Sequence, residues 1–247
     1  MPDPNGWGPN PGPLEFEEAE IHVWRAYLDR TETMLHQFEA TLSADEKTRA
    51  DRFVFQRDRN HFVGTRGILR ELLAGYLRRS PEDLQFDYSA LGKPSLRGEI
   101  FRHSVQFNVS HSHGLALLAF TVGRNLGVDV ELVRSSFASE EIADHYFSPQ
   151  EVAELRTLSP SLREEGFFHC WTRKEAYVKA RGEGLHIPLE SFKVSLTPGQ
   201  PERLESVDSY RWSMWSLHPD PRYVGALVVE GRDLTLRQWG WQLPNSA

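Results

Sequence analysis

The sequence predicts an α+β fold built from two similar lobes related by a pseudo-twofold. Three observations carry that expectation. Stretches with strand-like alternation and stretches with helical spacing interleave along all but the first residues of the 247-residue chain. Two capping boxes recur at matching distance: Ser43 stands nineteen residues before Phe62, and Ser148 nineteen before Phe167. Two turns echo each other as well, because Gly123-Arg124-Asn125-Leu126 and Gly231-Arg232-Asp233-Leu234 each follow an apolar strand. A diverged duplication accounts for all three. The expected division is a disordered tail at 1–13, an N-terminal lobe at 14–125 and a C-terminal lobe at 126–247, with a ligand cleft between the lobes. When the halves are aligned, Asp129 falls opposite Arg237, so an acidic site belongs to one copy only.

The elements follow in order. Residues 1–13 hold five prolines and three glycines without periodicity, the composition of a disordered lead-in. Residues 21–28 read as a strand. Ser43-Ala44-Asp45-Glu46 opens a short helix carrying Lys47, Arg49 and Arg52, and a longer helix at about 58–78 buries Phe62, Leu69, Leu72, Leu73 and Tyr76. A loop with Gly92-Lys93-Pro94 leads to strands at 105–109, 115–122 and 126–132. Ser148-Pro149-Gln150-Glu151 is a second capping box, with proline at the first helical position. A long helix at about 161–181 ends at Gly182-Glu183-Gly184, and strands follow at 191–196, 210–217, 223–230 and 234–241.

Composition narrows the function. Hydrophobic residues make up 39% of the chain, with seven Trp and fourteen Phe, enough for a full core. A net charge of −7 argues against nucleic acid or an anionic membrane as the main partner. The single cysteine, Cys170, rules out an intrachain disulfide framework and fits a reducing compartment; it falls on the apolar arc of the long helix, as a small buried hydrophobe would. No apolar run approaches ~18 residues and the N-terminus has no signal pattern, so a cytoplasmic protein is expected.

Two stretches concentrate chemistry. On the long helix, Phe167, Cys170, Trp171, Tyr177 and Val178 share one arc, and Glu175 and Lys179 lie four apart at its flank. That pair reads either as a helix salt bridge or as an acid/base and charge-stabilising pair, while Lys174 projects into the arc in a structural role. In Gly127-Val128-Asp129-Val130-Glu131, the two carboxylates project to one side of a strand. They form either a solvated face or, with Glu175 as a third oxygen donor, a Mg²⁺ site completed by substrate phosphates. Asn108-Val109-Ser110-His111-Ser112-His113 ends a strand in hydroxyls and imidazoles, which are either surface decoration or donors to a phosphate. Adjacent residues on a strand point apart and no nucleophile elbow surrounds Ser110, which disfavours acyl hydrolysis. Lys93, Arg49 and Arg66 together would neutralise a polyanion.

These blocks, Asn108-Val109-Ser110-His111-Ser112, Gly127-Val128-Asp129-Val130-Glu131 and the run from Trp171 to Lys179, resemble the signature motifs of 4′-phosphopantetheinyl transferases of the two-lobed, monomeric, surfactin-synthetase-activating type. Gly92-Lys93-Pro94, the Arg52-Phe53 region and Gly182-Glu183-Gly184-Leu185 fit the same pattern, and the likeness spans about residues 40–230. The resemblance implies an active site at the lobe interface and transfer of the phosphopantetheine arm of coenzyme A to a serine of an acyl or peptidyl carrier protein, releasing 3′,5′-ADP. By matching motif it implies Asp129, Glu131 and Glu175 as Mg²⁺ ligands, Glu175 also as general base, and Lys179 against phosphoryl charge. Lys93, Ser110, His111 and Arg49 would be coenzyme A contacts. At His61 the chain departs from relatives with an arginine there, and Arg66, about one turn on, is the expected substitute. An acidic carrier helix would want a basic and apolar patch, for which residues around 137–147 and the loop after Gly92 are candidates. The alternative is a catalytically silent coenzyme A or nucleotide-binding module of the same fold. Such a module has no need of the intact Asp129, Glu131, Glu175 and Lys179.

Overall fold

In both halves of the chain, the strand that follows a Gly-Arg turn leaves its own half and completes the sheet of the other. The computed structural model describes residues 2–3, 5–90, 92–98, 100–134, 140–182 and 187–242. Strand β1 (Glu20–Tyr27) is followed by helices α1 (Glu32–Thr41), α2 (Ala44–Ala50) and α3 (Gln56–Leu77). A short hairpin, β2 (Phe86–Tyr88) and β3 (Pro94–Leu96), leads to β4 (Val105–Ser112), β5 (Leu115–Val122) and β6 (Leu126–Leu132). The second half runs through α4 (Glu140–Tyr146), α5 (Pro149–Thr157), α6 (Pro160–Arg181), the short strands β7 (Lys193–Val194) and β8 (Leu204–Glu205), then β9 (Trp212–Asp220), β10 (Tyr223–Glu230) and β11 (Thr235–Gly240).

Two main sheets result, ordered β11-β1-β5-β4 and β6-β10-β9. Strand β6 pairs antiparallel with β10, and β11 returns to pair parallel with β1. The two echoing turns are the points of exchange. Gly123 and Gly231 both adopt positive φ, 61° and 122°, where a side chain would be strained. Strand β11, late in the chain, belongs to the first sheet, so a single cut at 125/126 does not separate the two sheets.

Helix α3 packs Phe62, Leu69, Leu72 and Leu73 into a core with Trp24, Leu118 and Phe120. Tyr76 is half-buried, its hydroxyl accepting a hydrogen bond from Trp24 Nε1 at 3.0 Å. Helix α6 differs from the one-sided amphipathic helix expected. Gly166 through Cys170, Thr172 through Lys174, Ala176 through Val178 and Ala180 are all buried. The helix runs between β6 and β10 on one side and α5 and β7 on the other, so little of its surface meets water. Its buried charges are paired accordingly. Lys174 donates to the carbonyls of Leu189 and Phe192, both at 2.7 Å, and pairs with Glu151 at 2.8 Å. Cys170 is fully buried, and burial pushes its thiol well above the usual range.

The tail is not the free lead-in its composition predicts. Trp7 is 2% exposed, packs with Ile21, Val23 and Leu115, and donates from Nε1 to the His218 carbonyl at 2.9 Å. Gly8 bridges Trp239 on β11, and Asp3 pairs with Arg25. One buried indole outweighs the disordering effect of the surrounding prolines and glycines. Helix α1 has no counterpart among the expected elements, since only Leu35 and Phe38 mark its buried side; the same holds for α4, with Ala143 alone buried. The strand expected at 191–196 is paired only at Lys193–Val194. Among the described residues, no helix is long and apolar enough to cross a membrane.

Candidate active site

The site begins with a missing Cβ. A side chain at Gly127 would meet the Ala176 carbonyl oxygen at 2.1 Å and the Ala180 nitrogen at 2.4 Å. Glycine there lets β6 lie directly on the backbone of α6, which brings the Asp129–Glu131 strand beside the Glu175–Lys179 turn.

Strand β4 holds β6 from the other side. The two strands run close together without a ladder, and the side chains of β4 supply the missing bonds at period two. Asn108 Oδ1 accepts from Val128 N at 2.9 Å, Ser110 Oγ donates to Asp129 Oδ1 at 2.7 Å, and Ser112 Oγ accepts from Leu132 N at 3.2 Å. Ser112 also donates to Glu131 Oε2 at 2.6 Å. Ser110, expected at a coenzyme A phosphate, is thus committed to orienting a carboxylate. Asn108, Ser112 and Gly127 stand out in the sequence only as parts of motifs, with no role of their own. The alternation of polar side chains on a buried strand is the available signal for the first two; the clash relieved by Gly127 is visible only in three dimensions.

Lys179 donates to Asp129 Oδ1 at 2.6 Å, to Ser110 Oγ at 3.1 Å and to the Val128 carbonyl at 3.4 Å. Asp129 Oδ2 is buried and has no hydrogen-bond partner. Burial pushes the pKa of Glu131 up, opposed by the Ser112 hydrogen bond and reinforced by Asp129. Burial, then Asp129, also raises that of Glu175. Among the described residues, no three acidic, histidine or cysteine side chains converge closely enough to hold a metal by themselves. Asp129 nonetheless acts electrostatically on both Glu131 and Glu175, and its buried Oδ2 is an oxygen with no hydrogen-bond partner. This donor set fits Mg²⁺, which takes one or two carboxylates and leaves its other positions to water and phosphate.

A cleft of about 350 Å³ opens beside these groups. Glu175, Lys179, Lys93, His111, Arg49, Arg66 and Phe62 are among the residues that line it. Lys93 donates to the carbonyls of Lys179 at 2.8 Å and Leu126 at 3.2 Å, leaving its third N–H for a ligand. Burial, assisted by the neighbouring Lys179, lowers its pKa to about 8. Arg66 pairs with Glu46 at 3.3 Å, while its buried Nη1 has no hydrogen-bond partner. His61 faces elsewhere, bonded to Asp29 Oδ1 at 3.0 Å, and lines a second chamber with His111, Phe62, Phe53, Arg57 and Glu131. Of the two basic residues weighed on α3, Arg66 is therefore the one at the first chamber. Phe62 and His111 border both chambers. Partial burial, then His61 and Lys179, lowers the His111 pKa. Gly182 also lines the cleft, whereas the expected 183–185 part of its motif lies outside the described residues.

A basic cleft with the Glu175 carboxylate in its wall, and Asp129 held behind it by Lys179, is the equipment of a phosphoryl-transfer enzyme. Residues 24–122 match the family described as "4'-phosphopantetheinyl transferase, N-terminal", and residues 125–228 match "4'-phosphopantetheinyl transferase superfamily". The 4'-phosphopantetheinyl transferase HetI of Nostoc sp. is 40% identical over 236 residues, covering 96% of this chain and 95% of its own length. The 4'-phosphopantetheinyl transferase Sfp of Bacillus subtilis is 26% identical over 216 residues, covering 81% and 94%. The holo-[acyl-carrier-protein] synthase of Thermotoga maritima overlaps at a TM-score of 0.36 with 24% identity, over 43% of this chain and 62% of its own. This chain belongs to the 4'-phosphopantetheinyl transferase superfamily.

Proposed function

We propose that this protein transfers the 4′-phosphopantetheine moiety of coenzyme A to a serine of an apo acyl or peptidyl carrier protein and releases 3′,5′-ADP. The observation that carries this reading is the buried Asp129 carboxylate, bonded through Oδ1 to Lys179 and with no partner at Oδ2, set behind a cleft lined by Glu175, Lys179, Lys93, Arg49 and Arg66. The carrier serine oxygen bonds to the phosphorus bearing pantetheine, and the bridging oxygen departs with the 3′,5′-ADP. Lys93, Arg66, Arg49 and His111 bind the nucleotide end and offset its phosphate charge. Glu175, whose raised pKa makes it a stronger base than an ordinary carboxylate, takes the serine proton directly or through one water. Lys179 lies where negative charge grows on the phosphoryl oxygens. Asp129, Glu131 and Glu175 would hold Mg²⁺, which when bound polarises the pyrophosphate and neutralises part of its charge.

We further propose that the protein acts as a cytoplasmic monomer. Both halves of the chain line the cleft, so no second copy is needed to complete it. The buried lone Cys170 fits a reducing compartment. The test is incubation with coenzyme A, Mg²⁺ and an apo carrier protein, followed by the carrier's intact mass. A phosphopantetheine adduct on the serine is expected. No adduct across several apo acyl and peptidyl carriers would refute the assignment.

A further inference from the structure

We propose that the exposed segment 51–58, the loop after α2 together with the first turn of α3, with Val54 and Phe55 as its anchors, is the surface on which the carrier protein docks; this rests on the transferase reading above. Every residue from 51 to 58 is exposed. Three consecutive large apolar side chains stand among them, with Phe53 38%, Val54 89% and Phe55 69% exposed. An exposed apolar run of that length is at odds with a surface whose only neighbour is water.

The loop is held in place rather than loose. Phe53 N bonds to the Ala50 carbonyl at 3.3 Å, and its ring packs against Phe62 at 5.4 Å between centroids. Arg59 N bonds to the Phe55 carbonyl at 3.1 Å, and the Arg59 guanidinium pairs with Asp51 at 3.3 Å. Val54 and Phe55 are thus presented outward from a fixed backbone, so little ordering remains to be done on binding. Phe53 and Arg57 also line the second chamber, the one that reaches Glu131 and His111. A partner seated on this loop would have a direct path for a serine side chain to the carboxylates.

Charge selects the partner. The chain as a whole carries −7, yet Arg52 and Arg57 flank the apolar run and make no ion pair among the described residues. Asp58, in the first turn of α3, is the one carboxylate of the segment left beside them, since Asp51 is engaged by Arg59. The fitting partner presents apolar side chains bordered by acidic ones next to its serine. That is a carrier protein rather than a second copy of this chain or a lipid surface.

The experiment compares the wild-type protein with a Val54→Ser/Phe55→Ser double variant, which alters only exposed side chains. It measures transfer kinetics and, without coenzyme A, direct binding of a fluorescently labelled apo acyl-carrier protein and apo peptidyl-carrier domain. The variant is expected to show a carrier KM and Kd raised about ten-fold, the change produced by about 1.4 kcal/mol. Its KM for coenzyme A and its kcat at saturating carrier should match the wild type. Unchanged carrier KM and Kd overturn the surface while leaving the transferase reading intact. Carrier binding that is lost in the variant, in a wild-type protein that transfers nothing, overturns the transferase reading and upholds the surface. A wild-type protein that neither transfers nor binds overturns both. If the variant instead changes only the oligomeric state by light scattering, or only binding to anionic vesicles, the surface belongs to self-association or to lipid and the proposal fails.

Discussion

The Lys179 ammonium sits 2.6 Å from Asp129 Oδ1, spanning from α6 to β6 at the wall of the cleft. Asp129 is 5% exposed at its side chain and Lys179 29%, so the pair is dry at one end and wet at the other. It holds together the two elements that carry the site, and it sets a cation against the carboxylate whose second oxygen has no partner. A spacing of four on one helix suggests a salt bridge between Glu175 and Lys179; the ammonium instead bonds across two elements, to Asp129.

Lys179→Ala should therefore act in two ways. Activity should fall by about 10²-fold, the scale for loss of one electrostatic stabiliser, while the KM for coenzyme A changes little. Stability should fall by about 1–3 kcal/mol, less than for a fully buried pair because Lys179 keeps contact with water. Steady-state kinetics and thermal melts separate the two effects. Calorimetric titration of the same variant with Mg²⁺ should show binding at least as tight as in the parent, since the competing ammonium is gone.

Glu175→Gln should lose activity by about 10²-fold or more and keep its fold. Burial raises the pKa of Glu175, so the folded state disfavours its charge. Removing that charge at neutral pH should leave the melting temperature no lower than that of the parent. Near-normal turnover in this variant would remove Glu175 from the role of base.

The pH profile should have a basic limb near 8 and an acid limb above the ordinary carboxylate range. Lys93, lowered from 10.5 to about 8 by burial, loses the charge that attracts phosphate as pH rises through that value. Glu175 and Glu131, both raised by burial, lose theirs at a higher pH than usual on the acid side. The basic limb is not unfolding at this group. Between about 8 and 10.5 the unfolded chain holds the Lys93 proton that the folded chain has released, so this lysine adds stability as pH rises. In kcat/KM for coenzyme A, Lys93→Met should be lower throughout and lack the limb near 8.

Gly127→Ala should be more damaging than its size implies. Its methyl group would lie 2.1 Å from the Ala176 carbonyl oxygen, so β6 must move off α6. A loss of about 3 kcal/mol is expected by denaturant titration, at the upper end for overpacking, together with loss of activity as Asp129 and Glu175 are drawn apart.

The parts of the site legible in the sequence are those fixed by local periodicity. Period two puts Asp129 and Glu131 on one side of a strand, and a spacing of four puts Glu175 and Lys179 on one helical face. The strand limits at 115–122, 126–132 and 223–230 agree between sequence and structure for the same reason. What local pattern does not encode is which distant group satisfies a polar atom. Ser110 has the makings of a phosphate contact and is occupied by Asp129; Lys93 looks like a free cation and leans on two carbonyls. Helix α6 looks one-sided because its buried Arg173 resembles a surface residue until Ser195 and Ser216 are placed beside it, whereas Lys174 already projects into the apolar arc in the sequence and is found buried against Glu151. Trp7 shows the same limit, since composition describes a segment and one anchoring side chain decides it.

The reciprocal exchange of β6 and β11 has a consequence for synthesis. While the chain emerges from the ribosome, β1 and β5 can pair, but the outer edge of β1 stays open until residues 235–240 have been made. For most of translation that edge is a template for any extended strand nearby. Cutting the gene between the halves would make the condition permanent: a fragment ending at residue 125 lacks the strand that closes its sheet, and the complementary fragment carries a strand with no sheet to close. The halves are similar in plan yet cannot be used as separate modules, and a split version of this protein should work only when both pieces are present together.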